Sequence, residues 1–280
     1  FDFQIKPMLL YAAEVWGLTR FRSIETVHMF ACKRFLNVSI KTPNTMVYGE
    51  VGRYPLYIDS TISAVRYWFK LQNMLLCRLP KQAYVMTKNR ITGCTGDKNE
   101  QHNWAFLLKK CLDFCGFSEV WINGGVGNEK MFLKIFKERL VDCYKQDWNS
   151  KLNSSERFQT YRSFKSLLQP EKYLQDITIS KFRIAFSRFR LGVNDLNANK
   201  RFGIHSCACP FCAKVENEKH FLIECSKYDE LREKFIFRYY KNTHVPALPF
   251  LLQNENTFIT RAVGMFIYYA FKVRAESLED

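Results

Sequence analysis

The chain has 280 residues, a mass of 33.2 kDa and a formal net charge of +15 at pH 7. Its hydrophobic fraction of 47% excludes a chain that is disordered throughout, and its length predicts one large domain or two modest ones. A basic surplus of this size favours a polyanionic partner, above all a phosphate backbone. A basic protein without a dedicated partner would carry the same charge.

The ten cysteines are scattered rather than closely spaced as in a secreted disulfide scaffold. Cys32, Cys111, Cys115 and Cys143 fall within helical patterns, where a free cysteine acts as a small buried hydrophobe. Because no signal peptide precedes them, we expect a reducing, intracellular setting, nuclear or cytoplasmic and not secreted. The apolar run 262–271 is about half of the roughly 20 residues that span a bilayer, so it is predicted to be a core helix.

Helical periodicity predicts a compact helical unit over residues 1–79. Two stripes of apolar residues recur at spacings of three and four. The first stripe is Ile24, Val27, Ala31, Phe35 and Val38. The second is Ile58, Ile62, Val65, Phe69 and Leu76, widened by Trp68 and Leu75. Between the stripes, Thr42-Pro43 predicts the start of a short helix and Gly52 predicts its end.

Residues 80–125 are predicted to be a linker that contains one helix. Pro80, Gly93 and the polar run 96–100 indicate a loop, and the helix is expected over residues 101–115. The following segment, Gly124-Gly125-Val126-Gly127, indicates a turn. It lacks the spacing of a phosphate-binding glycine loop.

Residues 126–280 are predicted to be a helical C-terminal domain. Asn128 is expected to cap one helix, Ser154 or Ser155 a second, and a third is expected over residues 178–190. The alternation with a period of two that marks strands is not sustained anywhere in the sequence. The fold is therefore predicted to be mainly α.

One spacing carries a specific chemical signal. Cys209, Cys212, His220 and Cys225 follow the pattern C-x2-C-x7-H-x4-C, in which two cysteines on one tight turn present both thiolates to a tetrahedral ion. Four protein ligands leave no position for a reactive water, so we expect one structural Zn²⁺ in a small zinc knuckle over residues 205–232.

The spacing within the second half of this pattern imposes a geometric condition. Five residues along a continuous α-helix turn through about 500°, so His220 and Cys225 would point about 140° apart. They are expected to share a metal only if the helix breaks between them. Ser226-Lys227-Tyr228-Asp229 resembles a capping box that starts a new helix there.

Alternatives to this ligand set remain open in the sequence. Cys207 and His205 lie close enough to compete as ligands. Cys209 is preferred because the Cys-Pro-Phe-Cys turn supplies two ligands at once. The remaining alternative is a set of ordinary thiols that bind no metal.

The finger spacing, with Glu216-Asn217-Glu218 ahead of His220-Phe221-Leu222 and Tyr228 to Arg232 after it, resembles the C-terminal finger of non-long-terminal-repeat retrotransposon reverse transcriptases. Near the other end, Leu9-Leu10-Tyr11 and Glu14-Val15-Trp16-Gly17 resemble the segment that follows the palm of those polymerases. Further similar segments are Lys33-Arg34-Phe35-Leu36, Thr42-Pro43-Asn44, Val47-Tyr48-Gly49-Glu50, Gly52-Arg53 and Phe189-Arg190-Leu191-Gly192. The resemblance extends over nearly the whole chain and implies that residues 1–79 are a thumb-like unit.

The resemblance implies a polymerase family but no polymerase activity. Such enzymes use paired aspartates to hold two metal ions, and this sequence contains no Asp-Asp pair. We therefore expect a non-enzymatic C-terminal fragment or remnant that binds RNA or DNA. The first residue, Phe1, is not Met, which indicates a longer reading frame with a polymerase domain upstream as a candidate partner.

Charge is unevenly distributed along the C-terminal half. From Lys151 to Gly203, eleven Lys and Arg residues stand against four Asp and Glu residues, whereas Ala213 to Tyr240 has six of each. The finger itself is therefore a poor electrostatic site for phosphate, and its expected task is to fix the fold beside a basic surface.

The basic surface is predicted on the helix ending at Arg190. Lys181 and Arg188 are expected along one flank, and Arg183 and Arg190 along the other, because seven residues are nearly two turns. Phosphates could bridge both flanks. The alternative is a solvated helix whose long side chains extend around an apolar stripe. A second, weaker candidate surface consists of Lys33 and Arg34.

Two functional hypotheses follow from the sequence. The leading one is a nucleic-acid-binding region related to reverse transcriptases. The alternative is a zinc-stabilised helical module for protein interaction, in which the basic surplus is incidental. An affinity that falls with salt would favour the first, because phosphate contacts release counterions.

Overall fold

The structure, a computed structural model, describes residues 1–93, 103–199, 207–240 and 247–279. It is 69% helical, and these ranges contain no β-strand. The β-bridges within the same ranges are two isolated antiparallel ones, Val51–Pro170 and Ala208–Val215. The prediction of a mainly α fold is confirmed.

Fifteen α-helices lie within the described ranges. The first eight are α1 Ile5–Leu9, α2 Ala13–Trp16, α3 Arg22–Leu36, α4 Asn44–Val51, α5 Tyr57–Gln72, α6 Leu79–Gly93, α7 Trp104–Phe114 and α8 Ser118–Ile122. The others are α9 Glu129–Ser154, α10 Gln159–Arg162, α11 Tyr173–Asp176, α12 Ser180–Arg190, α13 Asp229–Phe235, α14 Leu248–Leu252 and α15 Thr257–Glu279. Short 3₁₀ turns lie at Glu156–Phe158, Asn197–Asn199, Ser226–Tyr228 and Phe237–Tyr239, and a π-helical turn lies at His220–Glu224.

The chain divides into two compact units. Unit 1 comprises Phe1–His28 and Tyr54–Asp147, and unit 2 comprises Met29–Arg53 and Trp148–Asp280. Both predicted domain boundaries, after residues 79 and 125, lie inside unit 1. The sequence pattern shows where helices change but not which distant segments pack together, so these units differ from the predicted 1–79, 80–125 and 126–280.

Unit 1 has an aromatic core centred on Trp68 of α5. The Trp68 ring is fully buried and stacks on Trp121 with ring centroids 5.9 Å apart. Its indole Nε1 donates to the Tyr84 hydroxyl at 2.9 Å. Because Tyr84 belongs to α6, the predicted loop over residues 80–93 is wrong: Pro80 lies in the first helical turn, where its missing N–H is not required. The rest of the predicted loop, residues 94–100, lies outside the described residues.

The helix α3 is present as predicted, but its buried face is a different one. The residues buried on it include His28, Met29, Cys32 and Leu36. Phe35, which belongs to the predicted stripe, is 64% exposed. Both sides of this helix carry apolar residues, so periodicity alone does not decide which side the rest of the chain covers.

Several predicted helix ends are confirmed and others shift. Asn128 caps α9, since its Oδ1 accepts the Met131 N–H at 2.9 Å. Gly52 ends α4 at a φ of +62°, and a Cβ there would lie 2.0 Å from the Pro170 nitrogen, so glycine is required. Thr42 does not cap α4, because Pro43 takes the N-cap position and the helix begins one residue later. Leu75 and Leu76, expected in the apolar stripe of α5, follow its end and are exposed.

Unit 2 contains a buried ion network centred on Arg190 and Glu50. The Arg190 side chain donates to both oxygens of Glu50, from Nε at 3.0 Å and from Nη2 at 2.9 Å, and neither side chain is exposed. The hydroxyls of Tyr161 and Tyr173 lie 3.0 and 2.7 Å from the same carboxylate. The charges are thus taken from water into a site where hydrogen bonds replace hydration.

The same guanidinium reaches a second carboxylate and a backbone carbonyl. Arg190 Nη2 donates to Glu171 at 2.8 Å, and Nη1 donates to the carbonyl of Leu252. Glu171 in turn contacts Lys165 and the side-chain amide of Asn254. The network therefore joins α4, α12, the end of α14 and the segment 165–171.

Removal of Arg190 should destabilise the fold strongly. The substitution Arg190→Leu leaves the buried Glu50 without its cationic partner and removes one of the two cations that contact Glu171. We therefore expect the free energy of unfolding to fall by about 3–5 kcal/mol. The matched control is Arg238→Leu, since Arg238 is exposed, and its effect should stay within about 0.5 kcal/mol. Urea unfolding at neutral pH measures both. Equal effects would contradict the structural role of Arg190.

The network should also make stability depend on pH. Burial raises the pKa of Glu50, but the charge and hydrogen bonds of Arg190 outweigh it and leave that pKa below its usual value. A carboxyl with a lowered pKa stabilises the fold above its unfolded pKa of about 4.3, and the stabilisation is lost as the pH falls through the folded pKa. Unfolding measured from pH 7 downward should show this loss, and Glu50→Gln should lessen the pH dependence.

Candidate metal centre

The first two cysteines of the pattern are presented by a tight turn. The Cys209 N–H donates to the Lys214 carbonyl at 2.6 Å, and the Ala213 N–H donates back to the Cys209 carbonyl at 3.0 Å. Ala213 adopts a φ of +57° to close this turn. The Glu216 N–H donates to the Cys207 carbonyl at 2.8 Å, which holds the two ends of the segment together.

The other two ligands lie at the ends of a π-helical turn. The Cys225 N–H donates to the His220 carbonyl at 2.8 Å, a bond between residues five apart. This wider turn brings His220 and Cys225 over one another, which an α-helix would not do. Cys225 itself is extended, and a 3₁₀ turn starts at Ser226. The prediction that no continuous α-helix joins His220 to Cys225 is confirmed. The Ser226 side chain does not cap the helical segment that follows.

The four side chains converge on one point. Cys209 Sγ lies 3.9 Å from Cys225 Sγ, and Cys212 Sγ lies 3.1 Å from His220 Nε2. All four ligand atoms lie within 4.8 Å of one another. Bonds of about 2.3 Å to a tetrahedral ion place two sulfurs about 3.8 Å apart. The group can therefore hold a metal ion.

The structure describes one of the two alternative ligands, Cys207 and His205. Cys207 is exposed and does not belong to the cluster, and its carbonyl accepts the Glu216 N–H. His205 lies outside the described residues.

The electrostatics of the cluster favour a cation. Burial raises the pKa of the Cys225 thiol to about 12, while the backbone N–H of Lys214 lowers the pKa of Cys212. A metal cation reverses the penalty on a buried thiolate and deprotonates it on binding. On the far side of the ring, His220 Nδ1 lies 3.7 Å from Glu224 Oε2, which is too far for a hydrogen bond, so this buried nitrogen has no partner among the described residues.

The ligand turns are fixed by buried ionic side chains. Arg232 donates from Nε to the Leu222 carbonyl at 3.1 Å and from Nη2 to the Cys225 carbonyl at 2.9 Å. Glu216 accepts two bonds from Arg274 of α15, at 2.7 and 2.8 Å. In the sequence, Glu216 and Arg232 contribute to the resemblance to the finger and to the balanced charge count, and neither is predicted to be buried. No sequence signal used there distinguishes a buried ion pair from a solvated one.

An aromatic contact completes the support of the finger. The buried Phe221 ring stacks on Phe271 of α15 with centroids 4.5 Å apart and contacts Phe189 of α12 at 5.8 Å. The metal cluster is thus continuous with the helical core of unit 2.

Only one of the two predicted flanks of the basic helix is an exposed basic surface. Lys181 and Arg188 are both exposed and line one cavity. Arg190 is buried in the ion network, so its assignment as a phosphate contact is wrong. Arg183 is half-buried and donates from Nη1 to the Ile177 carbonyl at 3.0 Å, which ties it to the segment between α11 and α12.

One of the two residues of the second candidate surface, Lys33 and Arg34, is buried. Lys33 is 7% exposed and its ammonium donates to the Ile40 carbonyl at 2.7 Å, so the prediction that it contacts nucleic acid is wrong. Arg34 is exposed and stays a candidate. The periodicity of α3 located the helix but not its covered face, and Lys33 lies on that face.

Comparison with known proteins adds no family. No protein-family model matches the chain, and neither a curated protein nor a solved structure matches it.

Within the described ranges, every helix is too short or too polar to span a bilayer.

Substitution of one ligand should remove the metal, whereas substitution of the neighbouring rival should not. Cys212→Ser is expected to lower the metal content of the purified protein and its melting temperature, because one of four ligands is lost. Cys207→Ser is the matched control and should leave both unchanged. Elemental analysis and thermal melts before and after chelation measure this. A wild-type chain that purifies without metal and melts identically after chelation would contradict the site.

Proposed function

We propose that the Cys209, Cys212, His220 and Cys225 cluster holds one structural Zn²⁺. Three thiolates and an imidazole at tetrahedral spacing suit this ion, and thiolates disfavour Mg²⁺ and Ca²⁺, which take oxygen ligands. Four protein ligands close the coordination shell, so the ion has a structural task. Its binding energy stabilises the segment that packs on α12 and α15.

We further propose that the chain is a nucleic-acid-binding region related to the C-terminal part of retrotransposon reverse transcriptases. The observation that carries this proposal is the net charge of +15, together with the exposed Lys181 and Arg188 side by side on one cavity. Two of the segments that resemble that family also contact one another, since Glu50 pairs with Arg190. This pairing gives the shared residues a physical role and so supports the relation.

One observation favours the alternative of a protein-interaction module. Unit 1 exposes several large apolar side chains near its first residues: Phe3, Met8, Tyr11 and Val15, which are between 60% and 97% exposed. Grouped apolar exposure of this kind marks contact surfaces in soluble proteins. It is compatible with nucleic-acid binding by unit 2, so the two functions can coexist in one chain.

The proposed binding is tested by its salt dependence. Titration of labelled RNA and DNA oligonucleotides at several salt concentrations should give a negative slope of log affinity against log salt, near 0.7 to 0.9 per phosphate contact. Lys181→Gln with Arg188→Gln should flatten the slope by about one to two units. The control pair Lys214→Gln with Lys219→Gln, on the charge-balanced finger, should change it less. An affinity independent of salt, or no binding at all, would contradict the proposal and favour the protein-interaction module.

The chain alone should not extend a primer. The sequence has no Asp-Asp pair to hold the two metal ions that align the attacking hydroxyl and the triphosphate. A primer-extension assay with Mg²⁺ or Mn²⁺ measures this. Incorporation that persists after contaminating polymerases are removed would refute the non-enzymatic proposal.

A further inference from the structure

A cavity of about 490 Å³ lies beside α12 and α15 in unit 2. This volume falls within the range of small-molecule sites, about 300–1,000 Å³. Its wall is formed by residues of the two helices, by the segment 193–195 and by Asn37. Among the lining residues, only Lys181 and Arg188 belong to the basic surface predicted from the sequence.

The rim of the α12–α15 cavity is cationic. Lys181, Arg188 and Lys272 are exposed on it, against the carboxylate of Asp195 and that of Glu276, which lies 3.6 Å from the Lys272 ammonium. A fourth cation, Arg274, is already neutralised by its two bonds to Glu216. The rim therefore retains a positive surplus, which attracts an anionic group.

Arg188 is held in place for such a group. Its Nε donates to the Asn37 carbonyl at 2.9 Å, and its Nη2 donates to the Asn37 Oδ1 at 3.2 Å. These bonds use part of the guanidinium fork and fix the direction of the other N–H groups. An oriented guanidinium loses less entropy when it binds a phosphate than a free one does.

The floor of the cavity is apolar and includes two aromatic residues. Ile184, Ala185, Val193 and Ala275 line it together with Tyr268 and Phe271. Tyr268 is half-buried and contacts Phe182, and the ammonium of the exposed Lys181 lies over its ring at 5.0 Å from the centroid. The floor thus offers apolar and aromatic surface to a planar base beside a cation.

A polar residue also lies on the cavity wall. Asn194 lines the cavity, and its Oδ1 accepts from the Leu196 N–H and from the Asn199 side-chain amide. Its Nδ2 is buried away from solvent, so the ligand contacts of the cavity come from the rim and the floor.

We propose that the α12–α15 cavity binds one unpaired nucleotide of a single-stranded nucleic acid, with its phosphate on the cationic rim and its base against Tyr268. The inference rests on the proposed nucleic-acid binding and adds a strand preference. Inorganic phosphate would leave the apolar floor unused, and an apolar ligand would leave the cationic rim unused. A base inside a duplex is stacked on both faces and is not available to the cavity.

The test compares single strands with a duplex. Labelled single-stranded RNA, single-stranded DNA and a duplex of the same length are titrated against the wild-type chain, Tyr268→Leu and Lys272→Gln. Tyr268→Leu should weaken single-strand binding by about 5-fold or more, because one base–aromatic stack is lost, and should leave duplex binding unchanged. Lys272→Gln should reduce the salt slope by about 0.7 for single strands.

Matched controls lie outside the cavity. Tyr239→Leu and Lys172→Gln remove an exposed aromatic ring and an exposed charge of the same unit, and both should bind like the wild type. Thermal melts of all variants distinguish loss of a contact from loss of the fold. The RNA and DNA arms show which nucleic acid the cavity prefers.

Three results would overturn the inference. If the wild type binds single strands but Tyr268→Leu and its control are equal, the cavity is not the site, and the proposed function stands. If Tyr268→Leu weakens single-strand and duplex binding equally, the base does not enter the cavity. If the wild type binds neither single strands nor duplex, the proposed function fails as well, and the cationic rim would then suit an acidic protein segment.

Discussion

The fold of unit 2 depends on a buried guanidinium. Arg190 has no access to water, so its charge is tolerable only because Glu50, Glu171 and the Leu252 carbonyl surround it. These partners come from segments far apart in sequence, and each must be in place before the charge is satisfied. The result is a fixed position for α12, whose opposite flank carries Lys181 and Arg188 at the surface.

The candidate metal cluster and the α12–α15 cavity are both supported by α15. Arg274 of α15 lines the cavity and also anchors Glu216 in the finger, and Phe271 of α15 lines the cavity and stacks on Phe221. A bound ion would hold the charge-balanced finger against α15 and so maintain one wall of the cavity, which would give the finger an indirect part in the proposed nucleic-acid binding. Loss of the ion is expected to loosen that wall without removing any cationic residue from the rim.

Sequence reasoning located most helices and all four metal-ligand candidates, because these depend on local spacing. It failed where a residue's role depends on what lies beside it in space. The spacing of Arg190 from Arg183 placed both on one flank, but only the position of Glu50, far away in the sequence, makes the core the stable place for Arg190. Likewise, the proline and polar residues after residue 80 indicated a loop, and the contact of Tyr84 with Trp68 stabilises a helix instead.

Nucleic acid is proposed to contact the α12–α15 face, and the finger is proposed to support this face. Ultraviolet cross-linking of a single-stranded oligonucleotide to the zinc-loaded chain, followed by mass spectrometry of the modified peptides, locates the contact. We expect cross-links within residues 180–195 and 257–279, and fewer of them after chelation. Cross-links confined to the finger, residues 207–228, or spread evenly over both units would rule out this arrangement.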